Sequence, residues 1–309
     1  MDFSDVGERL FSDARRLLQC GATDHGLRAV CYNSLCSLGF DLQRLDSLPV
    51  GLFLNPSVMQ EELLRAGFSR EEIIASGLVS DSRVAERLIG PIRNVGGRIV
   101  SFWARHPEGL RPKYYFFRRD WRQEVPAFGL DVALSCPADG VRELLLVEDL
   151  LDALLLQSTG LSQAAATLLF SRNLTRARWE QLAVLGVEQV TLVPSDEREG
   201  LARAAAAREA SLQGGLAPEV FVLLPECFGR VKNLAKMILA MTCIPFWSWL
   251  KDNRVPRTDD LLATAATVTA GVSLFDVPPG DPMPEPQRPR STEICSLHHC
   301  DPMFCFCWD

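Results

Sequence analysis

The chain has 309 residues, 47% of them hydrophobic, and a formal net charge of −7. That length accommodates roughly two domains with buried cores. No run of about 18 uncharged apolar residues occurs, so no membrane span is expected, and the acidic balance argues against a surface coated with nucleic-acid contacts.

The N-terminus, MDFSDVGERLFSDARRLLQ, is acidic and amphipathic. It has neither the basic start nor the short apolar block of a secretory signal, so a cytoplasmic protein is expected. Phe3, Val6, Leu10, Phe11, Ala14, Leu17 and Leu18 recur at helical spacing, and Gly21 can end that helix. Capping boxes are expected at Ser57 with Gln60 and at Ser69 with Glu72, where a hydroxyl and a carboxylate or amide satisfy free amides of the first turn. The first 80 residues therefore read as helical.

From Ile89 the pattern changes to alternation. Ile92, a turn over residues 94–97, then Ile99, Phe102 and Trp103 predict a β-hairpin, continued by a strand over residues 114–117. Residues 81–125 hold ten Lys or Arg against five Asp or Glu, a net of +5 in an acidic chain. Charge acts within about 10 Å at 0.1 M salt, so this local excess matters more than the total.

Past Gly140, short apolar runs alternate with amphipathic stretches. Strands are expected over 143–147, 164–169, 189–193 and 219–224, with helices over 149–158, 175–185 and 201–212. This rhythm predicts a parallel sheet covered by helices, whose ligands bind at the carboxyl ends of the strands. A helical patch over 231–241 ends near Pro245. Residues 246–250 and a helix over 259–269 follow. Six prolines in residues 277–291 mark an extended linker.

The parsing is residues 1–80, a helical part; 81–139, a basic hairpin and sheet subdomain; 140–226, the parallel-sheet domain; 227–276, a helical extension; 277–294, the linker; and 295–309, a Cys- and His-rich tail.

Two acidic clusters fall at predicted strand ends. Glu148 follows the strand LLLV, with Asp149 and Asp152 opening the next helix, and Ser195, Asp196, Glu197 and Glu199 follow QVTLVP. Carboxylates there can hold Mg²⁺ or Mn²⁺ with substrate phosphates, or simply complement a helix dipole. Position alone leaves both open. Cys20, Cys31, Cys36, Cys136, Cys227 and Cys243 are scattered and read as small buried hydrophobes in a reducing compartment. In the tail, Cys295, His298, Cys300, Cys305 and Cys307 offer enough N and S ligands for tetrahedral Zn²⁺, the alternative being a flexible, oxidisable tail.

The segments AGFSREEIIASGLVSD, RLIGPIRNVGGRIVSFWAR, PKYY, FGLDVAL and LLLVEDLLDALLLQSTGL occur in the order of the bacterial DNA primase catalytic core and resemble it over roughly residues 27–225. The resemblance implies an α/β fold, a TOPRIM-like parallel-sheet domain preceded by a smaller mixed helical and β-hairpin subdomain. It implies Glu148 as metal-site or general-base glutamate, with Asp152 one helical turn on. It further implies Arg87, Arg105, Lys113 and Tyr114 in a template and nucleotide groove, with Asp196, Glu197 and Glu199 completing the metal site. The chemistry would be templated joining of ribonucleotides on single-stranded or unwound DNA beside a replicative helicase or other replication protein. This chain departs from the family's Asp-Gly-Asp-x-Ala-Gly: aligned on Gly200, Ser195 replaces the first aspartate, Asp196 the glycine and Glu197 the second aspartate. Two readings follow, a primase using a rebuilt metal site and a non-catalytic DNA-binding or adaptor module of a replication or mobile-element system. A TOPRIM nuclease fits less well, because the primase-like hairpin precedes the sheet.

Overall fold

The computed structural model describes residues 3–20, 25–41, 43, 48–110, 112–118, 121–135, 142–167, 173–194, 199–213, 215–224, 227–241 and 243–255. The tail with its cysteines, the linker, the expected helix over 259–269, and Ser195, Asp196 and Glu197 lie outside them.

Helix α1 (Phe3–Cys20) carries the apolar stripe read from its spacing. After α2 (His25–Leu38), strand β1 (Gly51–Phe53) begins a four-stranded antiparallel sheet, ordered β1, β2 (Arg87–Arg93), β3 (Ile99–Arg105) and β4 (Tyr115–Phe116). Side chains alternate across it, with a register shift opposite Ile92 and Arg93 that flips the phase of β3 between Ile99 and Phe102. Ile89, Ile99, Phe102 and Ala104 pack with Leu10, Phe11 and Ala14 of α1, while Leu88, Ile92 and Trp103 join the core on the other side. Two glycines allow this. A Cβ at Gly51 would meet the Ala14 backbone at 2.7 Å, and one at Gly90 would meet the Trp103 ring at 2.4 Å.

Helices α3 (Pro56–Arg65) and α4 (Arg70–Ser76) correct one expectation and match another. The cap of α3 is Asn55, whose side chain accepts from the Val58 amide at 3.0 Å. The helix starts earlier than a Ser57 cap would have it because Pro56, with its preset φ, opens the first turn. Ser69 and Glu72 form the reciprocal capping box, at 3.2 and 2.8 Å. Strand β1 lies within a stretch that reads as helical, so the sheet reaches back across residue 80.

Helices α5 (Trp121–Glu124) and α6 (Leu130–Ser135) lead to the second sheet. Its strands are β5 (Glu143–Val147), β6 (Ala164–Ala166), β7 (Gln189–Val193), β8 (Glu219–Leu223) and β9 (Arg254–Val255), ordered β6-β5-β7-β8-β9. All pairings are parallel except that of β9. The covering helices are α7 (Leu150–Ser158), α8 (Arg176–Val184), α9 (Glu199–Leu212), α10 (Val231–Ala240) and α11 (Cys243–Asn253). Leu145 and Val147 face α7 and α10, and Leu144 and Leu146 face α8 and α9. Pro245 falls in the first turn of α11, where its missing N–H leaves no intrahelical bond unmade. Trp103 of the first sheet and Leu145 of the second belong to one continuous core.

Among the described residues no helix is long and apolar enough to cross a membrane. Cys31 is buried as expected, and burial pushes its thiol up to about 12. Cys36 is a correction: it is exposed, on the outward side of α2.

Candidate functional site

Strand β5 ends at Val147, and the next two residues sit at the carboxyl edge of the sheet. Asp149 caps α7, accepting from the Leu151 amide at 2.9 Å. The Glu148 side chain is only 5% exposed, and Arg203 of α9 forks onto it, Nε to Oε1 at 2.6 Å and a terminal nitrogen to Oε2 at 3.0 Å. Two-pronged guanidinium–carboxylate contacts combine charge with fixed geometry and are among the stronger ion pairs. Arg203 also lies 3.3 Å from Glu199, one helical turn earlier, whose side chain is 81% exposed.

The first sheet supplies the facing wall. Lys113 reaches Asp149 at 2.5 Å, and the Tyr114 hydroxyl donates to the other oxygen of the same carboxylate at 2.5 Å. Arg105, at the end of β3, lies with its guanidinium carbon 5.8 Å from the centre of the Tyr114 ring, and its Nε is buried without a hydrogen-bond partner. Burial pushes the Tyr114 hydroxyl well above its usual range, and the charge of Asp149 adds to that. For Asp149, burial raises the carboxyl but Lys113, Tyr114 and Arg105 outweigh it, leaving it below the usual range. Asp152 behaves oppositely: burial and the neighbouring Asp149 charge lift it to about 7. Two carboxyls three residues apart are thus pushed in opposite directions.

Five of the expected residues, Glu148, Asp152, Lys113, Tyr114 and Arg105, therefore meet with Asp149 at the junction of the sheets. Arg87 does not join them as a surface cation. It is 8% exposed and donates to the Arg83 carbonyl at 2.8 Å and the Pro112 carbonyl at 3.4 Å, so it props the segment that delivers Lys113. Several other cations of the basic stretch are paired: Arg83 with Asp81, Arg93 with Glu8 and Arg118 with Glu124. Asp81 and Glu124 are already counted in the net charge of +5 read along the sequence, so that net is lowered only by acids from outside the stretch, Glu8 on Arg93 and Asp149 on Lys113.

The carboxylates described here do not fit a resident divalent cation. Both oxygens of Glu148 are engaged by Arg203, Asp149 is held by Lys113 and Tyr114, and Glu199, its side chain largely exposed, lies against Arg203. No group of three His, Cys, Asp or Glu side chains able to hold a metal converges among the described residues. Sequence reasoning missed Arg203. Its only signal was a cation one turn after Glu199 in an alanine-rich helix.

No protein-family model matches the chain, and no curated protein does. Solved structures do. The E. coli primase catalytic core is 20% identical with a TM-score of 0.62, the match covering 90% of each chain. A DnaG primase catalytic domain bound to single-stranded DNA is 19% identical with a TM-score of 0.61, over 86% of this chain and 83% of that one. The RNA polymerase domain of Mycobacterium tuberculosis primase, in complex with a double-stranded DNA oligomer carrying a 6-nucleotide overhang, is 21% identical with a TM-score of 0.59, over 87% and 83%. The chain has the fold of the bacterial DnaG primase catalytic core, an antiparallel sheet joined to a parallel one.

Proposed function

We propose that this primase-fold chain is a non-catalytic DNA-binding module, gripping single-stranded or unwound DNA beside Arg105, Lys113 and Tyr114. The observation that carries this reading is the forked ion pair of Arg203 on Glu148. Metal-assisted phosphoryl transfer needs carboxylates free to hold Mg²⁺ against the transferring group. Here a fixed guanidinium neutralises the glutamate at the expected place and repels a second cation. Arg105 supplies charge, Lys113 an ammonium that is paired with Asp149 but 59% exposed, and Tyr114 an aromatic ring, groups that suit a nucleic-acid strand. DNA in two of the matched primase structures supports the same partner. The parallel sheet would be a TOPRIM domain in an adaptor working in the cytoplasm with a replicative helicase or another replication protein.

The competing reading is primer synthesis with Mg²⁺ or Mn²⁺, with Asp196 and Glu197 rebuilding the site. The test is incorporation of labelled ribonucleotides on single-stranded DNA by the intact chain and by Glu148→Gln, alongside DNA binding at several salt concentrations. The module reading expects no primers from either protein and salt-sensitive binding by both. Primers made by the intact chain and lost in Glu148→Gln would overturn it.

A further inference from the structure

A second cluster of cations lies one strand away from Glu148. The connection between the sheets is pinned to the free edge of β6, where Phe128 and Ala166 exchange backbone hydrogen bonds at 2.8 and 2.9 Å. Just past β6, the Thr167 amide donates to the Val147 carbonyl at 2.9 Å, which sets Thr167 level with Glu148 on the same carboxyl edge. Trp121, Arg122, Thr167 and Arg178 line a cavity there.

Three features of the cavity are unexplained by the fold. Burial lowers both arginines from their ordinary value, and the charge of Arg122 lowers Arg178 further. Neither makes an ion pair with a carboxylate among the described residues; Arg122 lies against the Phe116 and Trp121 rings, and Arg178 donates to the Gln181 amide oxygen. Thr167 and Trp121 are each 5% exposed, and Thr167 Oγ1 and Trp121 Nε1 are buried without a hydrogen-bond partner. Buried polar groups are nearly always satisfied, and an exception calls for a water or an ion. Water would satisfy the hydroxyl and the indole, but it would bring no negative charge to the two half-buried guanidinium groups beside them. An oxyanion answers both, since guanidinium, hydroxyl and indole are all donors.

We propose that this cavity is a phosphate subsite, taking one phosphate group through Arg122 and Arg178 with Thr167 and Trp121 as neutral donors. Its presence does not depend on the DNA-binding reading; only the source of the phosphate, a DNA backbone or a free nucleotide, rests on it. Placed beside Glu148, the subsite fixes where a strand or nucleotide would cross the carboxyl edge.

The experiment titrates the full chain calorimetrically with inorganic pyrophosphate without DNA, and separately with a labelled single-stranded oligonucleotide. Arg178→Gln and Thr167→Val are compared with the parent. Arg178→Gln is expected to weaken the recognised ligand about tenfold or more, the size of a charge-assisted hydrogen bond. Thr167→Val, which removes a hydroxyl lacking a partner, is expected to weaken it several-fold while raising the unfolding midpoint of the ligand-free protein. Loss confined to pyrophosphate identifies a free nucleotide or phosphate, and loss confined to the oligonucleotide, with a salt slope reduced by about 1, identifies the backbone. Both variants binding both ligands like the parent, or a parent that binds neither, would overturn the subsite. A parent that binds pyrophosphate but no DNA would overturn the DNA-binding reading and leave the subsite standing.

Discussion

Strand β5 opens with one glutamate and is followed directly by another, and each is gripped by an arginine from a distant part of the chain. At the amino end Glu143 meets Arg254 of β9, with both side chains under 10% exposed. The Thr191 hydroxyl donates to the same carboxylate at 2.9 Å, and the guanidinium carbon of Arg254 lies 3.6 Å from the centre of the Phe221 ring. At the carboxyl end Glu148 meets Arg203, which is 19% exposed and lies on the edge where parallel sheets bind ligands. The same pair of chemical groups thus serves two ends differently. One is sealed on all sides and fastens the antiparallel edge strand to the parallel ones; the other sits in the wall of a site and fixes the charge there.

The largest effect should come from the sealed end. Glu143→Gln leaves Arg254 buried and uncompensated, and should lower stability by about 3–5 kcal/mol in guanidinium chloride unfolding. A loss below about 1 kcal/mol, the level of exposed pairs, would erase the contrast. Glu148→Gln should cost less, about 1–2 kcal/mol, because Arg203 can turn toward water, and oligonucleotide affinity should stay within about twofold. A clear fall in affinity would make the ion pair part of the DNA contact rather than a neutralised remnant.

The smallest effect is in pH dependence. Asp152 is lifted to about 7 by burial and by the charge of Asp149, against an ordinary value of 3.8. Between those values the folded chain keeps a proton that the unfolded chain releases, so this carboxyl's contribution to stability falls as pH rises from about 4 to about 7 and levels off above. Asp152→Asn removes that slope, and its gain in unfolding midpoint should be larger at pH 8 than at pH 5. An equal gain at both would show that Asp152 titrates normally and that the site is wetter than its packing implies.

What was legible in the sequence follows the range of the forces involved. Strands β5 and β7 have the bounds their apolar runs predict, and β8 lies within a residue of its own, because buried parallel strands are continuous apolar runs. The short strands β1 and β9 were not visible. Three and two residues carry no period, and their pairing is decided by β2 and β8 across the fold. Glu148, Lys113 and Tyr114 were legible as a site from motif order, and the two sheets do bring them together. Their partners were not: Arg203 is 55 residues from Glu148, and Arg254 is 111 from Glu143. Arg87 was carried over from the motif resemblance, and its position opposite Phe53 at the start of β2 turns it inward.

The central claim is that Arg203 has taken the place of a cation at Glu148. The direct test is Mn²⁺ binding to the full chain, followed by electron paramagnetic resonance of the free ion, for the parent, Arg203→Ala and Glu148→Gln. The account predicts no stoichiometric Mn²⁺ binding by the parent at micromolar concentrations, with binding gained in Arg203→Ala. Tight stoichiometric binding by the parent that disappears in Glu148→Gln would contradict it and restore a working metal centre.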